Sequence, residues 1–189
     1  MASGLGLLVL SPLFFVLAVW IKCDSKGPVF YRQVRVGRNN RDFRLYKFRS
    51  MRVGSDKKGL ITIGGHDPRV TRSGYYIRRY KLDELPQLIN VFAGNMSLVG
   101  PRPEVRKYVD LYTPEQMHVL DVRPGITDLA SIRYRNENEL LEQADDPDRY
   151  YVDVIMQDKL RINLEYVADH SFLKDIKLIG MTFRAIVSK

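Results

Sequence analysis

Seventeen consecutive residues without a charge, Leu5 to Ile21, constrain this chain of 189 residues most tightly. A run of this kind is buried either in protein or in lipid. As a straight helix it reaches about 25 Å, short of the roughly 30 Å hydrocarbon core of a bilayer. Ser11-Pro12 falls in its middle. Proline brings no backbone donor and clashes with the turn before it, so a bend is expected there. The Ser11 hydroxyl is expected to satisfy the carbonyl that Pro12 leaves free.

Four readings of the run compete. A secretory signal peptide fits poorly, because no basic residue precedes the run and no small-x-small cleavage site follows it. A buried core helix and a straight membrane span are the next two. The favoured reading is a helix-break-helix, residues 1–22, that dips into one leaflet and returns. Trp20 then sits at the interface, and Lys22 and Lys26 meet the cytoplasmic headgroups.

Charge supports that placement. Between Lys22 and Arg52 stand ten Lys or Arg against two acids, Asp24 and Asp42, and this segment carries the whole net charge of +8. Such a segment suits an anionic membrane surface, a nucleic acid or a phosphorylated substrate. Nucleic-acid binding needs no apolar helix, so Leu5–Ile21 argues against that class. Cys23 is the only cysteine. An intramolecular disulfide and a cysteine-based metal cluster are excluded, and a free thiol in a reducing compartment is expected. His66, His118 and His170 are far apart and lack ligand spacing. No internal repeat, P-loop or dinucleotide fingerprint is present.

Further along, residues 29–36 and 43–49 are alternating runs around Gly37-Arg38-Asn39-Asn40 and read as a hairpin. Phe43, Leu45, Lys47 and Arg49 share one face of its second strand. Lys47 and Arg49 either project together toward a diphosphate or form a solvated basic edge. Residues 53–66 read as a mobile loop, and residues 75–81 as a short helix carrying Arg78 and Arg79. Asp83 and Glu84 follow, just ahead of an apolar run. Local sequence alone favours Asp83 as a helix N-cap with Glu84 in the first turn. The rival reading is a functional pair of carboxylates that needs cations or a metal beside it. In Gly100-Pro101-Arg102-Pro103 two prolines stiffen the chain around an arginine, either to aim it at phosphate oxygens or simply to turn the chain. Helices are expected over 104–112, 114–120, 150–167 and the 172–187 stripe of Phe172, Ile176, Ile179, Phe183 and Val187. That stripe fits packing against the domain or lying on a membrane. Residues 137–148 are acidic and expected to be exposed.

Taken together these segments make the chain recognisable. Ser11-Pro12, residues 27–33, Lys47-Phe48-Arg49-Ser50-Met51, residues 67–71, Leu82-Asp83-Glu84-Leu85-Pro86-Gln87, residues 95–103 and residues 123–127 occur in the order found in the monotopic phosphoglycosyl transferases. The chain resembles this bacterial sugar transferase family over nearly its whole length, and the resemblance reverses the odds on the carboxylate pair. It implies transfer of a sugar-1-phosphate from a UDP-sugar to undecaprenyl phosphate, with release of UMP. Asp83 is then the nucleophile, carrying a covalent phosphosugar, and Glu84 holds Mg²⁺. Arg78 and Arg102 match phosphate-binding positions, Arg135 one near the nucleotide, and Lys47 is a further candidate. The expected fold is α+β, mostly helical with a small β-hairpin. It divides into a re-entrant membrane helix, 1–22, and a cytosolic catalytic domain, 23–189, with interfacial amphipathic helices on the bacterial inner membrane. A homodimer is an open option, and a non-catalytic, lipid-binding scaffold is the alternative. Asp128-Leu129 and Asn163 depart from the family pattern, at the end of the site that bears on sugar identity.

Overall fold

In the computed structural model, which describes residues 2–55 and 67–187, the apolar run is two helices, α1 (Ala2–Val9) and α2 (Ser11–Asp24), bent by 61° at the break. No single helix among the described residues is long and apolar enough to cross a membrane. Pro12 cannot donate to the Leu8 carbonyl, and the Ser11 hydroxyl donates to it instead at 2.8 Å. The expected bend and its compensating hydrogen bond are both present. The far end of α2 is core: Leu17 and Ile21 pack with Phe48 and Ile77.

The hairpin forms as expected. Strands β1 (Phe30–Val36) and β2 (Asp42–Phe48) pair antiparallel with Phe30 opposite Phe48 and Val36 opposite Asp42. Asn39 and Asn40 turn the chain with positive φ, which asparagine tolerates. The loop expected at 53–66 lies almost wholly outside the described residues, as does His66. Chain order then runs α3 (Arg72–Arg79), a 3₁₀ turn at Leu82–Glu84, α4 (Gln87–Phe92), β3 (Ser97–Val99) and α5 (Arg106–Val109). After a 3₁₀ stretch at Gln116–Asp121, β4 (Gly125–Thr127) pairs parallel with β3. The backbones at Gly100 and Gly125 approach so closely that a Cβ on Gly125 would lie 2.1 Å from the Gly100 nitrogen. This contact fixes the origin of the Pro101–Pro103 segment.

Short helices α6 (Leu129–Arg133), α7 (Glu137–Glu142) and α8 (Pro147–Tyr150) lead through a π turn, Tyr151–Ile155, into α9 (Met156–Ala168) and α10 (Phe172–Val187). Tyr108, Leu141, Ile155 and Leu160 centre the second core cluster. The fold is therefore mostly helical α+β, with two small two-stranded sheets among the described residues. Three expectations are corrected. The helix expected over 104–112 is only the four residues of α5, and the one over 114–120 is 3₁₀. The acidic 137–148 segment is not wholly exposed, because Leu141 is fully buried.

Candidate active site

Asp83 lies in the Leu82–Glu84 turn, which Lys81 opens with a left-handed backbone at φ 56°. The N-cap reading is corrected. A cap at 83 has to accept from residue 85 or 86. Pro86 has no N–H, and that of Leu85 goes to the Leu82 carbonyl. Helix α4 begins only at Gln87, with no side-chain cap. Asp83 is thus 8% exposed, and its Oδ1 is buried without a hydrogen-bond partner.

Glu84 has the opposite environment. Arg102 grips it with two nitrogens, Nη1 to Oε2 at 3.2 Å and Nη2 to Oε1, and Lys47 Nζ reaches Oε1 at 3.2 Å. Burial disfavours the charged form of both carboxylates. At Asp83 burial prevails: its pKa is raised, Glu84 adds to the rise, and Lys47, Arg78 and Lys81 oppose it. At Glu84 the penalty of burial is outweighed by Arg102 and Lys47, which hold the carboxyl well below its ordinary range. Burial lowers Lys47, with Glu84 opposing, while Glu84 raises Arg102. Two adjacent carboxylates are thereby driven apart in acidity, as at sites that use carboxylates chemically.

The arginine is itself held. Its backbone N–H donates to Asp128 Oδ2 at 2.7 Å, and Asp128 Oδ1 caps α6 by accepting from Ser131. One residue further, the Pro103 carbonyl accepts from Arg35, which also pairs with Glu104. Sequence reading registers Asp128 only as a departure from the family pattern. The Asp-x-x-Ser spacing before a helix was the available signal of a cap. Asn163, the other departure, is buried with Oδ1 unpartnered and lines a cavity together with Asp128 and Arg102.

The remaining expected residues divide. Arg78 is half-buried on α3 and acts electrostatically on Asp83. Helix α3 is tied to α2 where Asp24 accepts from the Ser73 backbone and hydroxyl at 2.9 and 2.8 Å. Arg49 does not project with Lys47. It lies one residue past the end of β2, is 4% exposed, and donates to the carbonyls of Pro28, Lys26 and Ser25 at 2.7–2.8 Å. Its guanidinium anchors the C-terminal end of α2, and that expectation is corrected. Arg135 is exposed beyond the end of α6, and among the described residues no hydrogen bond or ion pair joins it to Asp83 or Glu84. Among the described residues no group of three or more His, Cys, Asp or Glu could hold a metal. Asp83 and Glu84 are the carboxylates this site offers to a cation.

Asp83 and Glu84 form a buried carboxylate pair with Lys47, Arg78 and Arg102 around it, and the whole chain, 1–189, matches the Bacterial sugar transferase family model. The chain belongs to that family. It is 39% identical over its full length to a UDP-N-acetylgalactosamine-undecaprenyl-phosphate N-acetylgalactosaminephosphotransferase of Aeromonas hydrophila, covering 42% of that protein. It is 38% identical over 99% of its length to a UDP-glucose:undecaprenyl-phosphate glucose-1-phosphate transferase of Escherichia coli (strain K12), covering 39% of it. It is also 38% identical, over 93% of its length, to the uncharacterized sugar transferase EpsL of Bacillus subtilis (strain 168), of which it covers 77%. The chain thus spans about two fifths of the first two relatives.

Proposed function

We propose that this chain transfers a sugar-1-phosphate from a UDP-sugar to undecaprenyl phosphate through Asp83. The observation that carries the reading is the unpartnered, buried Oδ1 of Asp83 beside a Glu84 whose charge two cations secure. An Asp83 oxygen attacks the phosphorus that bears the sugar. The bond from that phosphorus to the UMP oxygen breaks, and UMP leaves with the electron pair. A polyprenyl phosphate oxygen then attacks the same phosphorus, and Asp83 departs as a carboxylate. Two steps let one pocket receive two phosphate-bearing substrates in turn.

Glu84 is the residue that would hold Mg²⁺. A hard, ionised oxygen donor with few other protein carboxylates beside it suits a cation that takes its other ligands from phosphates and water. When bound, the ion supplies neutralisation of diphosphate charge. Lys47, Arg78 and Arg102 are the side chains that a diphosphate arriving beside Glu84 meets. Arg135 is assigned to the nucleotide.

The bent helix is proposed to enter one leaflet and return, holding residues 23–189 on the cytosolic face of the bacterial inner membrane. Support comes from the 61° bend and from the outward apolar side chains Leu5, Leu8, Val9 and Phe15, each at least 65% exposed. The test of the chemistry incubates purified protein with a panel of UDP-sugars and Mg²⁺, with and without undecaprenyl phosphate. Donor alone is expected to leave a phosphosugar adduct on Asp83 in the mass spectrum, and the acceptor to restore continuous UMP release. Turnover without any adduct on Asp83, or intact activity in Asp83→Asn, rejects the proposal.

A further inference from the structure

Helix α4 carries two buried side-chain amides, Gln87 at 1% and Asn90 at 2% exposure. Asn90 is fully engaged. Its oxygen accepts from the Tyr46 N–H at 2.9 Å and its nitrogen donates to the Arg44 carbonyl at 2.8 Å, so it clamps the free edge of β2. Gln87, three residues earlier, makes no such bond. Its Nε2 is buried with no acceptor in reach. Buried amide donors are ordinarily paired, so an unpaired one calls for an explanation.

The explanation is suggested by what lies one turn before it. Asp83 Oδ1 is the matching orphan, an acceptor without a donor. Leu85 and Pro86 have right-handed helical backbones, so the chain winds without interruption from the Asp83 turn into α4. Both the turn and α4 pack against β2. If donor and acceptor were meant for each other, they would be hydrogen-bonded, and they are not. One group can serve both if it offers an electrophile to the carboxylate and an oxygen to the amide. A phosphoryl group offers both.

We propose that Gln87 donates from Nε2 to a non-bridging oxygen of the phosphoryl group transferred at Asp83. The inference rests on the reading of Asp83 as nucleophile. A neutral donor suits this position. A further cation would pair with the Asp83 carboxylate and blunt its attack, whereas an amide stabilises charge on the phosphoryl oxygens without repelling Lys47.

Gln87→Met keeps the side-chain length and removes the amide with both its donor and its acceptor, and Gln87→Glu puts an acceptor where the donor was. Single-turnover UMP release is followed with donor alone, using a UDP-sugar and both diastereomers of its analogue with sulfur on the sugar-bearing phosphate. Gln87→Met is expected to slow adduct formation about ten- to a hundredfold with little change in KM, and Gln87→Glu to slow it further. It is also expected to change the preference between sulfur diastereomers by at least about fivefold, which a purely structural role would not do. A Gln87→Met protein with wild-type rate and preference overturns the assignment of Gln87 and leaves Asp83 in place. Adduct formation by Asp83→Asn overturns the reading beneath it. Should neither Gln87 variant fold, wild-type protein treated with beryllium trifluoride, which mimics a phosphoryl group on a carboxylate, decides the matter. The Gln87 side-chain amide protons are expected to shift downfield in its NMR spectrum, and unmoved signals overturn the proposal.

Discussion

Asp83 and Glu84 share a backbone turn, yet their surroundings push them in opposite directions, and that has consequences for stability. Asp83 has a pKa raised first by burial. A carboxyl raised in the folded state costs stability wherever both states are ionised. The cost shrinks as pH falls through the folded value and is gone below the unfolded value of about 3.9. Asp83→Asn is therefore expected to raise thermal stability at pH 7 by about 2–4 °C, on the order of 1 kcal/mol, while abolishing UMP release. Melting curves at pH 7 and pH 3.5 check the sign: the gain should vanish at the lower pH. Glu84 runs the other way. Its depressed carboxyl adds stability that is complete above its unfolded pKa and is lost only as pH drops through the folded value. Glu84→Ala leaves Arg102 and Lys47 facing each other without their shared anion, and is expected to destabilise by on the order of 3 kcal/mol in denaturant titrations. That two adjacent carboxylates need cations beside them was legible from adjacency, though only as the rival of a helix cap until the resemblance reversed the odds. Which carboxylate would be orphaned was not, because it depends on Arg102 arriving eighteen residues later in sequence.

At the scale of elements, the sequence showed breaks better than directions. Proline dictates a missing donor wherever it stands, so the α1–α2 bend and the Ser11 hydroxyl on the Leu8 carbonyl followed from residue chemistry alone. The hairpin followed from alternation and its asparagine turn. Arg49 shows the limit of such reasoning. Alternation places it on the Lys47 face, but β2 ends at Phe48, and although the Arg49 N–H still donates to the Val29 carbonyl, the side chain turns back to the carbonyls at the end of α2. Periodicity cannot say where a strand ends. The break itself is testable. Pro12→Ala restores a backbone donor for Leu8 and should straighten α1 onto α2. If the proposed membrane dip is right, cysteine labelling of a site before Leu5 should then move from the cytosolic to the opposite face. A label that stays where the wild-type label lies would reject the idea that this bend sets the topology.

Across the whole molecule, the basic segment and the apolar surfaces turn out to serve different ends. Within Lys22–Arg52, Lys47 faces Glu84, Arg49 anchors α2, Arg35 and Arg38 hold carbonyls of distant segments, and Arg32 stacks over the Tyr46 ring at 5.1 Å. Several cations counted as one patch in the sequence are therefore structural or catalytic candidates, which charge counting cannot distinguish. The apolar surface is less divided. On α10, Phe172, Leu173, Ile176 and Phe183 are 51–78% exposed, whereas Leu178 packs inward and Thr182 bonds Thr127 on β4. Phe172, Ile176 and Phe183 of the sequence stripe therefore face outward while Ile179 is half-buried, and burial within the chain does not account for the exposed three. Should α10 lie on the bilayer as a second contact beside the bent helix, Phe172→Ser with Phe183→Ser removes two exposed aromatic rings from lipid. The double variant is expected to bind anionic vesicles about tenfold or more weakly in flotation assays, since each ring contributes on the order of 1–2 kcal/mol of apolar burial. Its melting temperature in detergent should hardly change, because neither ring is buried in the fold. Unchanged flotation at every salt concentration would leave the bent helix as the sole anchor; weaker flotation with an intact fold would mean that two helices, far apart in sequence, hold the active site against the membrane.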